Sequence, residues 1–167
     1  MYKKTLFITQ AAIIAAIYTV LVIAFNFISY GPIQVRIAEA LTILPYFTPA
    51  AIPGLTIGCL LSAILNSASV PDIIFGSLAT LIAAVLSYLL RRYKYLVAVP
   101  PIVVNALIVP WILKLSYGAP DAVPFMMLTV GAGEFVAAGI LGMMLLFALN
   151  KVRTVVFGEE EKKVIYK

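Results

Sequence analysis

The sequence predicts an all-α integral membrane protein of six transmembrane helices with both termini in the cytoplasm. Three observations predict it. Of 167 residues, 63% are hydrophobic and only 11% charged, whereas an ordinary soluble domain carries ~25% charged residues. The mean hydropathy is +1.09. The apolar residues fall into six runs flanked by basic residues. So few charges cannot cover a water-facing surface, which excludes a soluble enzyme, a nucleic-acid binder and a disordered tail. The chain reads as a single transmembrane domain over 1–167, with a short cytoplasmic tail from about 154.

The first run, 5–28, is too long for a secretory leader and lacks a small-residue cleavage site, so it reads as a retained span. Runs 35–48 and 51–66 are shorter and carry Pro45, Pro49 and Pro53. Fourteen residues of helix reach only ~21 Å, so either run, taken alone, also reads as a re-entrant segment. Runs 73–90, 96–113 and 124–149 are each long enough to cross ~30 Å of hydrocarbon.

Charge decides the parity of 35–66. If that stretch crosses an even number of times, Lys3, Lys4, Arg91, Arg92, Lys94, Lys151, Arg153, Lys162, Lys163 and Lys167 share one side, and only Arg36 and Lys114 lie opposite. A single crossing would split the basic clusters between the two faces. The even arrangement satisfies the positive-inside rule and gives six spans. Residues 29–34, Asn66 to Pro71 and Ser116 to Val123 are then short outer loops.

There is no histidine and one cysteine, Cys59. That excludes an internal disulfide, a His or Cys₄ metal site and His-dependent nucleophilic chemistry. No G-x-x-x-x-G-K-[ST] loop is present, so the chain does not hydrolyse ATP by that route. The expectation is a non-enzyme with no cofactor and no metal.

Polar residues at membrane depth each need a reason, since a mid-bilayer charge costs ~2.5–3.5 kcal/mol even on lenient scales. Glu134 lies about ten residues into the sixth run, ~15 Å deep, among Val130, Gly131, Ala137 and Ala138. It reads either as a substrate-binding acid at the base of an outward-open pocket or as a carboxyl that only bonds span to span. Asn105, in the fifth run before Pro110, suits a heterocyclic ligand or serves as interhelical glue. Trp111 near the outer end of that run reads as a stacking surface or as part of an interfacial aromatic belt. Arg36 and Glu39, three apart, read as a local ion pair or as a charged lid. Asp72 after Pro71 reads as a helix N-cap or as an acid at the cavity mouth. Ala11, Ala12, Ala15 and Ala16 make two overlapping Ala-x-x-x-Ala patterns, and Gly54 and Gly58 repeat the spacing. Small residues four apart let helices approach closely, whether inside the bundle or at a partner.

With six spans, this size and that first helix, the chain resembles the substrate-binding S-components of energy-coupling-factor (ECF) transporters. The stretch Ile33-Gln34-Val35-Arg36-Ile37-Ala38-Glu39-Ala40-Leu41-Thr42, then Leu44-Pro45 and the proline-rich turn to Gly54, is similar to the QueT family of queuosine-precursor importers. The match extends to Asp72 to Gly76. The resemblance implies an S-component-like bundle in a prokaryotic cell membrane that binds substrate from outside. It implies docking through Ala11, Ala12, Ala15 and Ala16 onto a transmembrane coupling subunit (EcfT), with two cytoplasmic ATPase subunits (EcfA and EcfA') supplying energy. It also implies a toppling motion that carries the closed pocket inward.

The implied ligand is a 7-deazaguanine, such as queuine or its aminomethyl or cyano precursors. Its guanine edge presents a ring N–H beside an amine, which a carboxylate accepts in a bidentate pair. Glu134 is the expected acceptor and Glu39 the second choice. Asn105 would bond the remaining edge, and Tyr30, Phe125 or Trp111 would stack on the face. Arg36 would hold Glu39 or meet the carbonyl, and Asp72 or Glu39 would balance an aminomethyl cation. The alternatives are an S-component for another vitamin or small nutrient, and a solitary proton-coupled secondary carrier.

Overall fold

A computed structural model of the chain describes residues 2–26, 36–153 and 157. Five α-helices, four of them long, and one short tight helix make up this part. They are α1 (Tyr2–Ala24), a 3₁₀ helix (Ile37–Tyr46), α2 (Ala51–Leu65), α3 (Asp72–Arg92), α4 (Val99–Tyr117) and α5 (Val123–Lys151). Among the described residues, α1, α3, α4 and α5 are long and apolar enough to cross a membrane, and Ile37–Tyr46 and Ala51–Leu65 are shorter apolar helices.

The helix directions follow from paired contacts. A Cβ on Gly54 would lie 2.8 Å from the Ala11 carbonyl oxygen, and one on Gly58 would lie 3.0 Å from that of Ala15. Further along, Asn26 donates to Asn66. Both sets of numbers rise together, so α1 and α2 run parallel. A parallel pair requires the chain to return between them, and the 3₁₀ helix makes that return. Tyr18 bonds Glu39 while Thr48 bonds Gln10, so the segment descends α1 from residue 18 to residue 10, ~12 Å of helix.

The expected helix over 35–48 is therefore present but wound more tightly than an α-helix. A rise of ~2.0 Å per residue lets ten residues reach ~20 Å, where an α-helix would reach ~15 Å. Pro45 sits inside this helix. Runs of this length are uncommon in the 3₁₀ form. This one is buried on nearly all sides, with Ile43, Pro45 and the following Phe47 among the fully enclosed side chains. Gly142 of α5 packs closely against it, since a Cβ there would lie 3.1 Å from Ile43 Cγ2.

α3 and α4 are antiparallel. Tyr117 bonds Asp72 at one end, and Ser87 bonds the Val97 carbonyl at the other. α4 and α5 are also antiparallel, with Asn105 on Glu134 and Ile102 against Gly139. The start of α1, the α3–α4 connection and the end of α5 consequently share one end of the bundle. The ring of Phe157 stacks on Phe47 there at 5.0 Å. Arg91, Arg92, Lys94, Lys151 and Arg153 occupy that end, as the charge parity anticipated.

α3 and α5 each contain a π-helical stretch, Asp72–Gly76 and Phe135–Leu141. Such insertions widen the helix and are frequent at functional sites. One opens at Asp72 and the other begins directly after Glu134.

Candidate functional site

The interior polar residues converge from four elements. Tyr18 of α1 belongs to a stripe of Ala11, Ile14, Ala15, Tyr18 and Thr19 that faces inward at helical spacing. A phenol buried at this depth needs a partner, and Tyr18 Oη donates to Glu39 Oε1 at 2.6 Å. The 3₁₀ helix thus carries Glu39, 2% exposed, into the bundle centre. Across it, Asn105 Nδ2 of α4 donates to Glu134 Oε1 of α5 at 2.9 Å. Both of these residues are 5% exposed.

The two carboxyl groups belong to one cluster. Glu39 and Glu134 interact electrostatically with each other and with Arg36, and the Asn105 amide lies within range of both. Each carboxyl uses only one oxygen, leaving Glu39 Oε2 and Glu134 Oε2 buried without a hydrogen-bond partner. A buried polar atom left unpaired costs about 1–3 kcal/mol. Two such atoms stand within the polar cluster, one on each acid.

A cavity of about 210 Å³ opens beside this cluster, between the C-terminal halves of α1, α2 and α4 and the start of α3. Its polar lining includes Tyr18, Arg36, Asn26, Asn66, Asp72 and Tyr117. Tyr18 is the link, since it lines the cavity and bonds Glu39 behind it. Arg36 faces the same space, within electrostatic range of both Glu39 and Asp72, so the expected local ion pair with Glu39 is not formed as a direct contact.

Asp72 is not an N-cap. Its helix shows no side-chain cap, and the Asp72 N–H instead donates to Ser69 Oγ at 3.3 Å. The Asp72 carboxylate accepts from Tyr117 Oη at 2.8 Å at the cavity wall. Glu134 faces the interior but does not line the 210 Å³ cavity, and neither do Asn105 and Glu39. The bond between Asn105 and Glu134 is the span-to-span contact that the sequence left open.

The expected stacking residues fall elsewhere. Trp111 is 51% exposed and lines a separate apolar groove with Phe75, Leu107 and Leu115. Phe125 is 56% exposed on the outer surface of α5. Both sit on the wrong helix faces to reach the cavity, and an aromatic belt position suits Trp111. Tyr30 lies outside the described residues, as do Ile33, Gln34 and Val35 of the motif stretch.

The alanine patterns divide. Ala11 and Ala15 are buried against Gly54 and Gly58 of α2, where small residues bring two backbones together. They are therefore used within the bundle and unavailable to a partner. Ala12 and Ala16 are exposed on the opposite face of α1.

Tyr18, Asn26, Asn66 and Tyr117 were not among the expected site residues. The usable signal was present for two of them. Tyr18 follows Ala11 and Ala15 by seven and three positions, and Asn66 sits at the outer end of a helix rich in small residues.

Comparison with known proteins places the chain in a family. Over 95 residues it is 42% identical to the queuosine precursor transporter QueT of Lactococcus lactis subsp. cremoris (strain MG1363). That alignment covers 55% of this chain, and the chain spans 56% of the length of that relative. No solved structure matches the chain significantly. The family model described as QueT transporter matches residues 8–151, nearly all of the described bundle. The chain thus belongs to the QueT transporter family and is a multi-pass protein of the cell membrane.

Proposed function

We propose that this chain is the membrane-embedded substrate-binding subunit of an ATP-driven ECF importer, and that its substrate is a queuosine precursor of the 7-deazaguanine class. The observation that carries the reading is the pair of buried acids, Glu39 and Glu134, each with one unpartnered oxygen, behind a cavity wall that Tyr18 joins to Glu39. The name of the relative supports the ligand class. A 7-deazaguanine offers a ring N–H and an adjacent amine on one edge. Those donors match the two free acceptor oxygens, and a flat bicyclic base suits a cavity smaller than the ~300–1,000 Å³ of drug-sized sites.

In this reading Glu39 meets the guanine edge first, because Tyr18 and Arg36 connect it to the cavity. Glu134 stands behind as the second acceptor, with Asn105 holding its other oxygen. Arg36 offers donors to the base carbonyl. A base lacking this donor pattern leaves the acids unsatisfied and is rejected by up to ~10⁴-fold.

The six-crossing arrangement with cytoplasmic termini is supported by the parallel α1–α2 pair and by the basic residues at one end of the bundle. Energy then comes from a coupling subunit (EcfT) and two ATPase subunits (EcfA and EcfA'), met through the α1 face that carries Ala12 and Ala16. Reconstitution tests both halves. Uptake of a 7-deazaguanine by vesicles should require the coupling module and ATP. Uptake by this chain alone, driven by a proton gradient, would instead identify a solitary carrier.

A further inference from the structure

A second opening, of about 540 Å³, lies between α3 and α4, apart from the polar cavity. Its size falls within the ~300–1,000 Å³ of small-molecule sites. The walls are apolar, with Phe75 on α3 and Leu107, Trp111, Ile112 and Leu115 on α4. The α4 residues recur at the spacing of one helix face. Phe75, Leu107, Trp111 and Leu115 are each half or more exposed. Both helices are long and apolar enough to cross a membrane, so this face meets hydrocarbon and not water. Whatever fills the groove comes from the bilayer.

The two ends of the groove differ. Leu107 marks the deep end, while Ser69 and Ser116 line the other, where α3 begins and α4 finishes. Ser116 Oγ has no hydrogen-bond partner. Ser69 Oγ accepts from the Asp72 N–H, which leaves its own proton to donate. From Leu107 to Ser116 the groove follows ~14 Å of helix, against ~15 Å for one leaflet of a ~30 Å core.

Lys114 adds charge at the polar end. It follows Trp111 by three positions and so stands one turn above the indole. Its ammonium donates to the carbonyls of Ala119 and Asp121, neutral acceptors that do not balance its charge. Asp72 is turned to the polar cavity and does not line the groove. Apolar contact alone does not select one lipid from among lipids, because the bulk bilayer offers the same hydrocarbon. A cation beside two hydroxyl donors does select, in favour of an anionic headgroup.

We infer that this groove is a binding site for an anionic phospholipid. One acyl chain lies along Trp111 and Leu107, and the phosphate is held at Lys114, Ser116 and Ser69. The lipid belongs to the leaflet opposite the basic clusters at 91–94 and 151–153. The site is independent of the substrate assigned to the polar cavity.

Trp111 is the single tryptophan of the chain, so its fluorescence reports on the groove directly. The test reconstitutes the purified full chain in phosphatidylcholine vesicles containing rising fractions of phosphatidylglycerol brominated on its acyl chains, with brominated phosphatidylcholine as the reference. Bromine quenches the indole on contact, so lipid gathered by the basic clusters at the opposite end of the bundle goes unread. Phosphatidylglycerol should occupy the site about fivefold more strongly than phosphatidylcholine, the worth of one lysine beside an anionic lipid. High salt should shrink that ratio, and Lys114→Gln should bring it close to one. Equal quenching by the two lipids at equal mole fraction would overturn the site and leave Trp111 in ordinary surrounding lipid. A preference that persists in Lys114→Gln would overturn the headgroup contact. An indole quenched by neither lipid would show the groove covered by protein, such as a second copy of this chain, and would overturn the lipid assignment.

Discussion

Tyr18 and Glu39 lie on different helices, 21 positions apart in sequence, and share a 2.6 Å hydrogen bond in the centre of the bundle. The bond ties α1, the least buried of the four long apolar helices, to the tight 3₁₀ return and holds an acid behind the cavity wall. Tyr18→Phe removes the donor and leaves both oxygens of Glu39 without this partner. Stability should fall by about 1–3 kcal/mol, and affinity for a 7-deazaguanine should drop as Glu39 loses its orientation. Thermal unfolding in detergent and titration of the same preparation check the two effects separately.

The seam between α1 and α2 tolerates no added bulk. A Cβ on Gly58 would lie 2.9 Å from Tyr18 Cβ and 3.0 Å from the Ala15 carbonyl oxygen. Gly58→Leu forces the helices apart and should destabilise the protein by about 1–3 kcal/mol or more. A thermal midpoint unchanged from wild type would show that the seam is looser than the close approach of the two backbones implies.

Ala15 and Ala12 separate folding from assembly. Ala15→Leu acts inside the bundle against Gly58 and should lower stability. Ala12→Leu acts on the exposed face of α1, so the fold and ligand binding should persist while co-purification with a coupling module is lost. Intact co-purification of Ala12→Leu would remove that face from the interface.

Trp111 provides a control. It lines an outward apolar groove and not the polar cavity. Trp111→Ala should leave 7-deazaguanine affinity within twofold of wild type. A tenfold loss would mean that the indole reaches the ligand.

Much of the fold was readable from the chain. The runs at 51–66, 73–90, 96–113 and 124–149 match Ala51–Leu65, Asp72–Arg92, Val99–Tyr117 and Val123–Lys151 to within a few residues. Long apolar segments are decided by hydropathy alone, so this agreement has a simple cause. The tight winding of Ile37–Tyr46 was not readable, because hydropathy carries no signal for hydrogen-bond register. Nor were the π-helical stretches at Asp72 and after Glu134, which depend on tertiary packing.

The site was legible in its charges and not in its partners. Glu39, Arg36, Asn105 and Glu134 stood out because ionisable and amide groups are rare in apolar spans. That Glu39 would meet Tyr18, and Asn105 would meet Glu134, depends on helix rotations that sequence spacing does not determine. The same rotations turn Trp111 and Phe125 outward and bury Ala11 and Ala15. For the alanines, a four-residue repeat identifies a close-packed face without saying which helix occupies it.

The central claim is that the buried pair of acids binds the imported base. Its most direct test is calorimetric titration of a 7-deazaguanine into wild type, Glu39→Gln and Glu134→Gln, with circular dichroism confirming that each variant is folded. Each single substitution should weaken binding by more than tenfold. Wild-type affinity in both folded variants would contradict the account.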